Sequence, residues 1–381
     1  MGSETRNVCL VVAALPPRLD GIGDYTASLA LALRTNSKVE SVTVVTAERA
    51  PASIPGVSIK SAFSVSEASS VWRLKDEMEK ASADVIVLQY SPFSFGRWGL
   101  NLHLPLVMRS IHRMGQTKVA VMVHEPFVPL NSWQFVIMSL WQRWQLWMLG
   151  KCSDVLFFSI DPWVARFQRW FPGQRVVHLP VGSNIPRIPL ERAEARARLG
   201  IQRGTMVIGL FGTLNPSRMI DQVREAAKAA WMQFKDVQLL YIGPDVAVAK
   251  GAFPGIPLLA EGPLSSDEVS KRFAAMDVYL APYIDGVSTR RTTLMTGLQH
   301  GIATVGTRGF LTDNMLARED GRAILLADVK HPDGFSRCVG RLIESAELRA
   351  QIGAGGQCLY EEHFAWNRIA AKLLLTLGQA T

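Results

Sequence analysis

Cysteine is scarce: Cys9, Cys152, Cys338 and Cys358 are the only four in 381 residues, scattered with no CxxC or Cys/His spacing. That pattern argues against a disulfide framework and a zinc site, and it fits a reducing cytosol. A GxxxxGK[ST] phosphate loop, an HExxH helix and a GxSxG elbow are also missing, which removes the commonest nucleotide, metalloprotease and hydrolase readings. No two aspartates stand two apart, so no DxD pair exists to carry a mandatory metal. RNP, zinc-finger and helix-turn-helix patterns are absent and the basic residues are dispersed, leaving nucleic acid the weakest partner. Long hydrophobic runs are missing too. The most aromatic-rich stretch, Trp133 to Leu149, carries Gln142, Arg143 and Gln145, which a spanning helix would bury at high cost. Val8 to Leu15 is short, ends at Pro16-Pro17 and follows a polar start, so it reads as a buried first strand rather than a signal peptide.

What is there is ample for a core: 48% of residues are hydrophobic and 19% charged. This length predicts two compact domains. The net charge of +8 favours anionic partners such as phosphorylated substrates or a membrane surface. Short apolar runs alternate with helix-like segments: Val8–Ala14, Val42–Thr46, Val85–Gln89, Val119–His124 and Val155–Ser159 in the first half, then Val207–Phe211, Gln238–Ile242, Val278–Pro282, Ala303–Gly306 and Ile324–Ala327. Such alternation predicts two α/β, doubly wound parallel sheets, with ligands at the C-terminal strand ends. Prolines and turn formers around Leu179–Pro186 place the boundary. The expected division is 1–184, 185–362 and a closing helical segment, 363–381.

Four places concentrate usable chemistry. Gly21-Ile22-Gly23 follows the first strand, where small residues admit a ligand as readily as a plain turn. His124 ends the fourth run, with backbone satisfaction as the plain alternative. Arg218 closes the loop that begins Gly212-Thr213, near a helix start; a solvated surface arginine is its ordinary reading. Asp285-Gly286-Val287-Ser288-Thr289-Arg290-Arg291-Thr292 runs from a strand into a helix. Two guanidiniums, hydroxyls and free helix N–H groups suit a diphosphate, the alternative being arginines paired with acids across a domain interface.

Taken together, these residues resemble glycosyltransferase family 4, the retaining GT-B group, nearly end to end. The resemblance implies a GT-B fold: two Rossmann-like doubly wound domains facing a central cleft, the first on the acceptor side and the second holding a nucleotide sugar. The family's glycine loop resembles Gly21 and Gly23, and its strand-end histidine resembles His124. Its glycine–arginine and lysine positions fall on Gly212-Thr213 and Arg218, so Thr213 replaces the arginine. Its E-x7-E region falls between Asp285 and Gly301, with Thr296 at the second acid. The resemblance implies catalytic roles for His124, Arg218 and Asp285. Gly21, Gly23, Gly212, Thr213 and residues 285–292 would contact the donor's diphosphate and sugar. Gly243, Glu261, Gly262, Pro263 and Thr296 would contact its nucleoside. It further implies a hexosyltransferase with retention by front-face attack, no metal and no cofactor, since the nucleotide-diphosphate sugar is itself a substrate. The acceptor would be a glycan, a lipid-linked molecule or a small molecule.

Tryptophans at 133, 141, 144 and 147, with Trp163, Phe167 and Trp170 after them, form an aromatic stripe. A core helix is the favoured reading because such stripes usually face a core; a membrane interface or an apolar acceptor is the other. The expected location is cytoplasmic, with a peripheral contact at the inner membrane face through Trp133–Trp170. Two rival functions stay open: a GT-B epimerase of nucleotide sugars, and a catalytically silent sugar-nucleotide or lipid-binding subunit.

Overall fold

The computed structural model describes residues 6–18, 20–47, 53–128, 130, 133–331 and 333–379. The polar residues 1–5 and the pair 380–381 lie outside the described residues. The chain divides into two compact units, one formed by 1–180 with 366–381 and the other by 181–365.

The first unit runs β1 (Arg6–Val12), α1 (Gly21–Arg34), β2 (Val39–Thr46), β3 (Ser58–Ser61), α2 (Arg73–Lys80), β4 (Val85–Tyr90), α3 (His103–Met114), β5 (Lys118–Val123), α4 (Trp133–Lys151), β6 (Val155–Phe158), α5 (Asp161–Gln168) and β7 (Arg175–His178). Its strands form a parallel seven-stranded sheet, ordered β3-β2-β1-β4-β5-β6-β7. The inner strands are near-continuous apolar runs because helices cover both faces: Val85 through Tyr90 are all buried. Asp20 starts α1 by accepting the Ile22 N–H at 3.0 Å, which satisfies a donor the helix cannot.

The second unit continues with α6 (Arg192–Arg198), β8 (Met206–Phe211), α7 (Ile220–Phe234), β9 (Val237–Ile242), α8 (Val246–Ala252), β10 (Leu258–Glu261), α9 (Ser266–Phe273), β11 (Val278–Ala281), α10 (Thr292–Gln299), β12 (Ala303–Arg308), α11 (Asn314–Arg318), β13 (Leu325–Asp328), α12 (Asp333–Glu344) and α13 (Ala346–His363). Its parallel sheet has the order β10-β9-β8-β11-β12-β13. Both sheets reverse their winding beside their first strand, between β1 and β4 and between β8 and β11. The chain then breaks at Phe364-Ala365 and enters α14 (Trp366–Gly378), which returns to the first unit and buries Ile369, Leu373 and Leu377. Arg175 holds it there, donating to the Thr376 carbonyl at 3.2 Å and to Gln379 at 2.6 Å.

Helix α4 departs from the favoured core reading. Its buried side includes Ser139, Gln142 and Gln145 with Leu146 and Leu149, while Trp133, Ile137, Leu140, Trp144 and Trp147 are exposed. Among the described residues no helix is long and apolar enough to cross a membrane.

Candidate functional site

In the second unit the loops after β8 and β11 meet at the reversal point, where an open α/β sheet leaves a crevice for ligands. Main-chain bonds lock them together: Met219 N–H donates to the Pro282 carbonyl at 3.1 Å, and Ile284 N–H donates to the Ser217 carbonyl at 3.0 Å. The phenol ring of Tyr283 lies in the middle. The Arg218 and Arg291 guanidiniums both stand over it, 4.4 and 4.2 Å from the centroid. Tyr283 is itself fixed by a 2.6 Å hydroxyl contact with Thr293. Arg218 is buried and donates to the Phe211 carbonyl.

Asp285 gathers the remaining charge. It accepts from Arg290 at 2.6 Å and from Arg291 at 3.0 Å to each oxygen. The arginines are paired with an acid, but it comes from their own loop and not from across a domain interface. A single carboxylate thus serves two of the three guanidiniums. Ser288 Oγ and Arg291 Nε are buried at the start of α10 and make no hydrogen bond, an arrangement that calls for a polar partner. Thr289 N–H donates to Asp313 at 2.7 Å, and Val287 N–H donates to the Thr307 carbonyl at 2.8 Å, which pins the loop backbone at these two residues. Gly286 has φ +88°. A Cβ there would meet Gly309 N at 2.4 Å, and one on Gly309 would meet the Asp285 carbonyl at 2.6 Å.

Gly212, with φ +98°, and Gly243 border the same place: a Cβ on Gly243 would lie 2.5 Å from the Gly212 carbonyl. Gly243 N–H donates to the Glu261 carbonyl at 3.1 Å, which brings the β10 end and the following Gly262-Pro263 turn alongside. Two expected nucleoside contacts are already engaged. The Glu261 carboxylate takes Arg272 through Nε and Nη2, at 2.9 and 3.1 Å. The Thr296 hydroxyl contacts the Ser183 hydroxyl at 3.1 Å and donates to the Thr292 carbonyl at 2.9 Å. Thr213 Oγ1 accepts from Asn215 at 3.2 Å.

The first unit holds the other candidates. His124 follows β5 with its N–H on the Tyr90 carbonyl at 2.9 Å, and its Nε2 lies 2.8 Å from Gln89 Oε1 at the end of β4. With that oxygen as acceptor, Nε2 carries the proton and Nδ1 keeps a free lone pair. Desolvation by burial holds its pKa at about 3, so it is neutral and a weak base. Tyr25 from α1 packs edge-on against it at 4.7 Å, and Trp366 from α14 packs on Tyr25 at 5.2 Å. Tyr25 Oη and Gln89 Nε2 are buried without a hydrogen bond. Neither Gln89 nor Tyr25 is foreseen from sequence, although Gln89 is the one polar residue in an otherwise apolar run. Gly23 is tied to packing, since a Cβ would lie 2.8 Å from the Ala14 carbonyl, whereas Gly21 has open space.

No protein-family model matches the chain, and no curated protein matches it. Solved structures do. Sucrose-phosphate synthase from Thermosynechococcus elongatus is similar with a TM-score of 0.75 at 15% identity, over 98% of both chains. A glycosyltransferase from Rickettsia africae ESF-5 gives 0.72 at 10% identity, over 99% of this chain and 98% of that one. The fold is GT-B. The GT-B likeness extends to HepE of Anabaena, solved in complex with UDP and glucose, with a TM-score of 0.67 at 13% identity over 98% of this chain and 100% of that one. At such identities the likeness concerns the fold, and the chemistry has to be argued from the residues.

Proposed function

We propose that this chain is a retaining, metal-independent glycosyltransferase of family 4 and of the hexosyltransferase class. It takes the sugar of a nucleotide-diphosphate sugar and passes it to a glycan, lipid-linked or small-molecule acceptor. The observation that carries this reading is the pair of guanidiniums, Arg218 and Arg291, on Tyr283 at the reversal point of the second sheet, with buried polar atoms of Ser288 and Arg291 left unpaired. Guanidinium and helix N–H groups recognise linked phosphates without a cation. A diphosphate arriving there competes with Asp285 for Arg290 and Arg291, freeing their donors toward it. Gly243 and the turn Glu261–Pro263 take the nucleoside through backbone groups, because the Glu261 carboxylate is occupied by Arg272.

Retention follows from front-face attack. The bond from the anomeric carbon to the diphosphate breaks, the acceptor oxygen bonds on the same face, and its proton passes to the departing phosphate. The chain's part is to stabilise charge on that leaving group, worth about 3–4 kcal/mol per well-placed donor. On the family resemblance, His124 offers its Nδ1 lone pair to a hydroxyl of the transferred sugar or acceptor rather than serving as a strong base.

A thermal-shift screen against UDP, GDP, ADP and dTDP sugars tests the donor assignment, with UDP sugars first because the similar HepE was solved with UDP. A ligand at a hundredfold its Kd stabilises the fold by about 2.7 kcal/mol. Arg218→Ala and Arg291→Ala should each abolish most of that shift and lower turnover at least about tenfold. No shift with any sugar nucleotide, or a full shift in both variants, overturns the reading. Slow donor hydrolysis without acceptor argues against a silent binding subunit.

A further inference from the structure

Exposed large hydrophobic side chains are not spread evenly over this protein. Of the 21 among the described residues, 14 fall between Phe93 and Trp147. On α4 they make one stripe, Trp133, Val136, Ile137, Leu140, Trp144 and Trp147, at helical spacing, with Trp133 73%, Ile137 64% and Leu140 62% exposed. The opposite, buried side carries Gln142 and Gln145 beside Leu146 and Leu149, and both glutamines are fully employed. Gln142 accepts from Val128 N–H at 2.9 Å and donates to the Trp98 carbonyl at 3.4 Å; Gln145 accepts from Asn101 N–H at 3.1 Å and donates to Tyr90 Oη at 3.2 Å. The helix is therefore fixed with a broad apolar stripe outward, where a surface helix in water carries polar residues.

The neighbouring 3-10 turn Arg97–Gly99 extends this face. Trp98 is 55% exposed although its φ is +63°, a conformation bulky residues avoid. Trp98 and Leu100 join Trp133, Ile137, Met138 and Trp141 around an apolar groove of about 280 Å³. Acidic residues are scarce in the same stretch. Residues 93–153 contain six Lys and Arg against one Glu, a net +5 out of the chain's +8. On α3, exposed Leu102 and Leu106 are followed on the same stripe by exposed Arg109 and Arg113. These arginines lie near Cys152 at the end of α4, where Lys151 is also exposed. The nearby Asp154 is occupied by His112 at 3.6 Å and by Val119 N–H at 2.7 Å.

We propose that this face, α4 with the Trp98 turn and the outer stripe of α3, docks the first unit onto an anionic lipid bilayer. Ile137 and Leu140 enter the acyl boundary, the exposed tryptophans stop at headgroup level, and Arg109, Arg113 and Lys151 meet lipid phosphates. A bilayer fits better than a second copy of the chain, because a self-complementary patch with this charge excess would set like charges against each other. The inference is independent of the donor assignment.

The test is co-sedimentation of the full chain with phosphatidylcholine vesicles with and without phosphatidylglycerol, together with tryptophan quenching by brominated acyl chains. Wild type should pellet with the anionic vesicles, release on added salt, and show quenched emission. Ile137→Glu with Leu140→Glu should cut the bound fraction at least about tenfold at unchanged melting temperature. Arg109→Glu with Arg113→Glu should remove the preference for anionic lipid. The proposal is overturned if wild type ignores anionic vesicles, if the Ile137/Leu140 variant binds as wild type does, or if wild type is instead a dimer that this variant splits.

Discussion

Single side chains in this protein are governed by desolvation as much as by contacts. His124 is held neutral with a pKa of about 3, and His300 at about 4, burial being the main cause for each. An unfolded histidine titrates near 6.5, so below that value the unfolded chain binds protons the fold refuses. The contribution of each is complete above about pH 6.5 and is lost as pH falls toward the folded value, by at most about 1.4 kcal/mol per pH unit. His124→Gln should therefore flatten the acid limb of the stability profile by about 1.6 kcal/mol between pH 6.5 and 5. Denaturant titrations of both proteins across that range check it; parallel limbs would contradict the burial of His124. The sequence marks His124 by its place at a strand end, but its partner Gln89 comes from another strand and appears only once β4 and β5 are paired. Likewise Arg290 and Arg291 are legible as charge, and their sharing of Asp285 is not, because loop curvature decides which neighbours meet.

At the scale of elements, legibility follows burial. Central strands such as β1, β4 and β8 are written as apolar runs, being covered on both faces. The edge strand β3, Ser58–Ser61, is largely exposed, and β7 is a short edge, so neither carries a strong signal. Helix α13 is hidden by Gly353, Gly355 and Gly356, which read as breakers. They are needed because Cβ atoms on Gly353 and Gly355 would lie 2.3 and 2.2 Å from the carbonyls of Gly301 and Arg322. The paired glycines of α1 separate in the same way. Gly23→Ala should cost about 1–3 kcal/mol by forcing the helix off the Ala14 carbonyl, whereas Gly21→Ala, with space around it, should be neutral or stabilising by up to about 1 kcal/mol. Chemical denaturation of the two variants side by side decides this, and equal midpoints would refute it.

For the molecule as a whole, two doubly wound units are legible from alternation, while the outward aromatic stripe of α4 is not, since periodicity gives a stripe without saying which side it faces. The first unit is also discontinuous in the chain: its sheet is complete by Pro180, and its helix α14 comes only after residues 181–365. Leu373→Ala, which empties a fully buried place on α14, should cost about 2–5 kcal/mol. Hydrogen exchange should then quicken in β1 to β7 and not in β8 to β13; a uniform response would refute the assignment of α14 to the first unit. The same discontinuity bears on biogenesis. A ribosome adding roughly 5–20 residues per second needs about 10–40 s to make the intervening stretch, and for that interval the nascent N-terminal unit stands with the seat of α14 open. That interval is when a holdase chaperone would have the most to cover.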